Sequence, residues 1–262
     1  MKITKKTPVV GGVFVDEHNK LRFNWTKDRL KRDVVRLKVN THGQVTKDGV
    51  QIIYGYSYNP ECDKSILKEF RKQIKHPDPT SDIYDFVEDG VLHIDKFIPL
   101  DSFEVIVGVK PSYRPSILDV IKAQLLEHVC KTCISFELIK ETYENVSFDS
   151  AKARKSLIDA GYDEDEVTEL IDSMIVDFDY LKQSGKLFEM KRFVPREIRA
   201  GFFGFLKFAS DKERATYESL QGVNALIYDD LLTSGSTISE AARYLYSINP
   251  TNTLTAFVLI QQ

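Results

Sequence analysis

Ala225-Leu226-Ile227-Tyr228-Asp229-Asp230-Leu231-Leu232-Thr233-Ser234-Gly235-Ser236-Thr237-Ile238 is the stretch on which the reading of this chain turns. An apolar, strand-like run ends in two adjacent acids, and a loop rich in Thr, Ser and Gly then opens a helical pattern. In open α/β sheets ligands sit at the carboxyl ends of the strands, so chemistry is expected where this run stops. Gly235 lets backbone approach a ligand and relaxes the steric limits on φ. Successive N–H groups at a helix start form an anion site, reinforced by the helix dipole. The hydroxyls of Thr233, Ser234, Ser236 and Thr237 add donors, so the loop is read as holding a phosphate monoester. The carboxylates of Asp229 and Asp230 suit sugar hydroxyls, which donate to a carboxylate. A phosphate and a diol side by side describe a ribose 5-phosphate. Taken singly, the acids read as a solvated strand end and the loop as a helix cap. Their joint spacing after a buried strand favours the ligand. The Gly-Lys-Ser/Thr ending of a P-loop is absent.

Working outward, Phe103–Val109 is a nearly continuous apolar run, as expected of a strand buried on both faces. Ser116–Val129 carries Ile117, Val120, Ile121, Leu125 and Val129 at helical spacing. Cys133–Ile139 and Val223–Tyr228 read as strands, Ser239–Ser247 as a helix and Leu254–Ile260 as a last strand. This alternation predicts an α/β fold, a parallel sheet flanked by helices. Ser150–Ala160 and Asp163–Gln183 read as two helices broken at Gly161, within a helical insertion at about 141–195. The second helix has an apolar stripe of Val167, Leu170, Ile171, Met174, Ile175, Phe178 and Leu181. That stripe must be buried somewhere, and is expected to pack on the N-terminal region or on a second copy of the chain, a homodimer. Leu187–Val194 reads as a strand.

Residues 1–100 read as a mixed α+β accessory region, and 101–262 as the core. Pro8–Val15 and Leu21–Trp25 suggest a hairpin, Asp28–Leu37 a short helix, and Val50–Tyr58 a strand with Ile52, Tyr54, Tyr56 and Tyr58 on one face. Asp63 would cap a helix to about Lys75, stopped by His76-Pro77-Asp78-Pro79.

The segment 225–238 resembles the PRPP-binding motif of type I phosphoribosyltransferases: an apolar strand, two acids, a few residues, then Thr-(Thr/Ser)-Gly-x-Thr. The resemblance implies transfer of phosphoribose from PRPP to a nitrogenous base or related acceptor, with release of pyrophosphate. By it, Asp229 and Asp230 bind the ribose 2′- and 3′-hydroxyls, and Thr233, Ser234, Gly235, Ser236 and Thr237 wrap the 5-phosphate. Mg²⁺ would ride mostly on PRPP oxygens and water, with Asp229 and Asp230 reached through water at most. The family's pyrophosphate loop falls on Lys110-Pro111-Ser112-Tyr113-Arg114-Pro115, where Lys110 and Arg114 would neutralise the leaving group. Two prolines and a tyrosine depart from the family's small residues there, and Pro115 equally suits the first turn of a helix. Basic residues that would cover the pyrophosphate are Lys140, Lys191 and Arg192, with Arg196, Arg199 and Lys207 around Gly201-Phe202-Phe203-Gly204-Phe205. That aromatic segment reads as ordinary packing ahead of a lid. The family recognises its base with a hood outside the core, a task that here falls to residues 1–100. The rival reading is a PRPP-sensing or partner-binding regulatory protein without transferase activity.

With 262 residues, 42% hydrophobic and 29% charged, the composition excludes wholesale disorder. A net charge of −3 gives no overall reason to hold nucleic acid. No run of 18 apolar residues suggests a membrane helix, and three cysteines make no disulfide framework, so a reducing cytoplasm is expected. Cys130-Lys-Thr-Cys133 lacks a second pair for zinc and reads as small buried apolar residues.

Overall fold

The computed structural model describes residues 13–15, 21–23, 33–37, 40–41, 44–45, 50–57, 72, 82–110, 116–232 and 235–261. In chain order, β1 (Val13–Val15) and β2 (Leu21–Phe23) form an antiparallel hairpin. Then come β3 (Asp33–Leu37), the short antiparallel pair β4 (Asn40–Thr41) and β5 (Gln44–Val45), and β6 (Val50–Ser57). Helix α1 (Ile83–Leu92), β7 (Val105–Val109), α2 (Ile117–His128) and β8 (Ile134–Lys140) follow. The insertion contains β9 (Ser147–Phe148), α3 (Ser150–Asp159), α4 (Glu164–Lys182) and β10 (Phe202–Phe203). The chain closes with β11 (Leu206–Phe208), α5 (Asp211–Ser219), β12 (Asn224–Leu232), α6 (Ser236–Ile248) and β13 (Thr253–Gln261).

Seven strands make the main sheet, in the order β11-β8-β7-β12-β13-β6-β3. The five inner strands run parallel, and β11 and β3 pair antiparallel at the edges. Strands β3 and β6, from the stretch read as accessory, are therefore part of this sheet. Helices cover both faces. On the first face, Val105, Val107, Ala225, Ile227, Ala256 and Val258 join Ile238, Ala241 and Leu245 of α6 and the insertion. On the second, Ile53, Ile106, Leu226 and Phe257 meet Phe86 and Val87 of α1 and Ile121 and Leu125 of α2. The inner strands read as unbroken apolar runs because both faces are buried.

Local chemistry sets the helix starts. The Ser116 N–H donates to the Asp119 carboxylate at 3.0 Å, opening α2. Asp149, Asp163 and Ser210 cap α3, α4 and α5 by accepting from Lys152 N, Glu166 N and Glu213 N. Gly161, at φ +95°, turns the chain between α3 and α4.

Four expectations need correction. Residues 33–37 of the expected helix Asp28–Leu37 are strand β3, paired with β6 from Asp33↔Tyr54 to Leu37↔Val50; the β-branched pair Val34-Val35 suits an edge strand better than a helix. Leu187–Val194 is no strand: it carries a single bridge, Thr142↔Leu187, and a 3-10 turn at Met190–Arg192. Phe188 and Phe193 are both buried, and residues five apart cannot share one face of a strand. Tyr54 and Tyr56 do not share a face. Tyr54 lies in the first cluster, whereas Tyr56 stacks on Phe86 in the second at a centroid distance of 4.1 Å. The register of β6 on β13 is unchanged from Tyr54↔Val258 to Tyr56↔Ile260, with Gly55 between the two tyrosines.

The fourth concerns α4. Its Val167, Ile171, Met174, Phe178 and Leu181 are covered by the insertion itself, together with Ala153 and Leu157 of α3 and the aromatic group Tyr143, Phe188, Phe193 and Phe202. The buried part of the stripe is therefore covered within the chain itself. Tyr58, Cys62 and the expected helix Asp63–Lys75, Lys72 excepted, lie outside the described residues.

Candidate functional site

The centre of the sheet contains a reversal of strand order. From β7 the chain crosses by α2 on the second face to β8 on one side. From β12 it crosses by α6 on the first face to β13 on the other. The carboxyl ends of the adjacent strands β7 and β12 thus flank a topological switch point, where open α/β sheets form a crevice. Asp229, Asp230, Lys110, Gly235, Ser236 and Thr237 all belong to segments that end or begin at this edge. Thr233, Ser234, Pro111, Ser112, Tyr113 and Arg114 lie outside the described residues.

Asp229 is 9% exposed, and its Oδ1 accepts the Asp230 N–H at 2.9 Å. Burial pushes its carboxyl well above the ordinary carboxylate range, and the neighbouring Asp230 charge pushes it further. Lys140, at the end of β8, acts the other way. Burial and the adjacent charge both favour the protonated form of Asp229. Asp230 is half-buried beside it.

The strand that carries these acids is seated by a close contact. Tyr228 pairs in register with Gly108 of β7. A Cβ at Gly108 would come within 2.7 Å of Tyr228 Cε2 and nearer still to its Cζ and hydroxyl oxygen. Only glycine leaves that room. An isolated Gly in the strand pattern Val105–Val109 was the available sequence signal for a close approach.

Gly235 is buried and left-handed at φ +72°, and its carbonyl accepts the Ser239 N–H at 2.8 Å. The helix opens three residues before the expected Ser239, so Ser236 and Thr237 form its first turn, with no acid there to oppose an anion. Lys110 is exposed at the end of β7, where its N–H still donates to the Leu138 carbonyl at 2.7 Å.

Of the other basic candidates, Lys140 acts on Asp229, whereas Arg199, Lys191, Arg196 and Lys207 make contacts elsewhere. Arg199 donates from Nε to the Phe193 carbonyl at 2.9 Å and from Nη2 to the Lys191 carbonyl at 3.4 Å. Lys191 sits 3.8 Å from Glu189, Arg196 3.2 Å from Glu197, and Lys207 3.1 Å from Glu141; Arg192 is exposed on the insertion's 3-10 turn. In the aromatic segment 201–205, Phe202 and Phe205 are buried as packing residues. Its Gly204 N–H donates to Glu240 of α6 at 2.7 Å. Glu240 is 3% exposed and also takes Arg243 through two bonds of 2.6 and 2.7 Å. Sequence reasoning missed this clamp, whose signal was an i,i+3 Glu–Arg pair on a helix.

Among the described residues, no group of three or more His, Cys, Asp or Glu is placed to hold a metal ion. Nor is any helix among them long and apolar enough to cross a membrane. No protein-family model matches the chain, and no curated protein matches its sequence.

Proposed function

We propose that this chain binds PRPP at the switch point between β7 and β12 and transfers its 5-phosphoribosyl group to a nitrogenous base, releasing pyrophosphate. The observation that carries the reading is the joint placement of the Asp229–Asp230 pair and of the left-handed Gly235 that opens a hydroxyl-bearing helix, on either side of one short loop. The acid pair accepts the ribose hydroxyls, and the α6 amino end with Ser236 and Thr237 receives the 5-phosphate. Thr233 and Ser234 complete that loop in sequence.

The chemistry is displacement at the anomeric carbon, with oxocarbenium character in the transition state. The chain's part is positioning and charge stabilisation: the acids fix the ribose, and the positive charges of Lys110 and, after it in sequence, Arg114 would neutralise the departing pyrophosphate. A Mg²⁺ ion arriving with PRPP would be favoured beside the acid pair, because burial and then the Asp230 charge raise Asp229, and a cation offsets the second of these. Bound there, it would supply neutralisation of phosphate charge.

A second reading, a PRPP-sensing regulatory protein, draws support from the insertion. Its Arg199, Lys191 and Arg196 contact the Phe193 carbonyl, Glu189 and Glu197, close neighbours in sequence. Pyrophosphate release from PRPP with Mg²⁺ across a panel of bases decides between the two. Turnover supports the transferase; binding without turnover supports the sensor.

A further inference from the structure

Cys130 and Cys133 close the turn between α2 and β8. The Cys133 N–H donates to the Cys130 carbonyl at 2.8 Å. Such a turn keeps its first and fourth Cα atoms within about 7 Å, inside the reach of a disulfide, about 4.4–6.8 Å. Both thiols are free and partly exposed, short of the full burial expected, and Cys133 packs against the second apolar cluster.

The two sulfurs are not equivalent. Cys130 Sγ lies 3.1 Å from Thr132 Oγ1, and this hydrogen bond pushes its thiol down, against the carboxylates of Glu104 and Asp101. Cys133 Sγ faces the Ile134 carbonyl at 3.8 Å, and burial pushes its thiol up to about 11. Near neutral pH the thiolate population sits on Cys130, the more accessible sulfur.

We propose that Cys130 and Cys133 form a thiol–disulfide exchange site, oxidised to an intrachain disulfide by low-molecular-weight disulfides with Cys130 as the attacking sulfur. In the first step the Cys130 thiolate attacks one sulfur of the oxidant; a mixed disulfide forms and one thiolate leaves. Cys133 then loses its proton and attacks the Cys130 sulfur, expelling the second thiolate. The protein dithiol is oxidised by two electrons, the oxidant is reduced to two thiols, and the two protein protons end on them. The turn lies at the amino end of β8, the edge of the sheet opposite the Asp229–Asp230 crevice. It follows a helix carboxyl end, where the dipole does not favour a thiolate. Its disulfide is therefore harder to reduce than that of a pair placed at a helix start.

The test uses the full chain with Cys62→Ser, leaving this pair as the only thiols. The protein is incubated with oxidised glutathione, alkylated, and read by intact mass. The expected product is a monomer with no glutathione and no alkylatable thiol. Adding Cys133→Ser should trap one glutathione per chain. Adding Cys130→Ser should slow modification at least about tenfold, since thiolate fraction outweighs the lower nucleophilicity of the more acidic sulfur. Thiols that stay alkylatable, stable glutathione adducts when both cysteines are present, or an interchain dimer would each overturn the proposal. Equal rates for the two single-cysteine chains would overturn the role of Cys130.

Discussion

The ring of Tyr228 occupies the space that any side chain on Gly108 would need, one residue before the buried acid Asp229. The contact joins the two central strands just inside the candidate site, so the position of Asp229 depends on it. Gly108→Ala should destabilise the chain by about 1–3 kcal/mol, the usual cost of overpacking a dense core. It should weaken PRPP as well. In a Tyr228→Leu background the same substitution should cost less, a coupling that a double-mutant cycle in urea would measure.

Asp229 makes stability depend on pH in an unusual direction. Unfolded, its carboxyl titrates near the ordinary value, about 3.9. Folded, burial and Asp230 raise it. Between those two values the folded chain holds a proton that the unfolded chain has released. The contribution of the neutral acid is therefore complete below about pH 4 and is lost as pH rises through that window. Asp229→Asn has no such loss. Its urea midpoint should gain on the parent between pH 4 and pH 7, while PRPP binding falls. An unchanged difference across that range would show that the acid is not held neutral.

Glu240 joins the return of the insertion to α6. Glu240→Ala would leave Arg243 and the Gly204 N–H without their acceptor in a half-buried setting, and should cost about 3–5 kcal/mol. Glu240→Gln keeps an acceptor for Gly204 and should recover part of that loss. Equilibrium denaturation of the two variants separates the charge from the hydrogen bond.

The parallel core was legible because strands buried on both faces are written as apolar runs, and Val105–Val109 and Ala225–Tyr228 read no other way. The insertion helices were legible from their periodicity and their caps at Asp149 and Asp163. What covers the α4 stripe was not. Its partners Phe188 and Phe193 come from irregular chain and Phe202 from a two-residue strand, where burial follows no period that a sequence displays. Strand β3 was misread for a related reason: five residues are too few to separate a helical from an alternating pattern. Within the site, the acid pair and Gly235 were visible as residue types. The upward shift of the Asp229 carboxyl was not, because it arises first from burial by strands and helices distant in sequence.

The central claim is that ribose 5-phosphate chemistry is held at the β7–β12 crevice, and calorimetric titration of PRPP with Mg²⁺ tests it most directly. The folded parent should bind. Asp230→Asn should bind about ten- to a hundred-fold more weakly, the loss of one hydrogen bond to a charged group, while keeping its affinity for inorganic phosphate. Gly235→Val, which puts a branched side chain at a left-handed φ of +72°, should lose both ligands. A folded parent that takes up no PRPP at millimolar concentration, or an Asp230→Asn chain that binds it like the parent, would contradict the account.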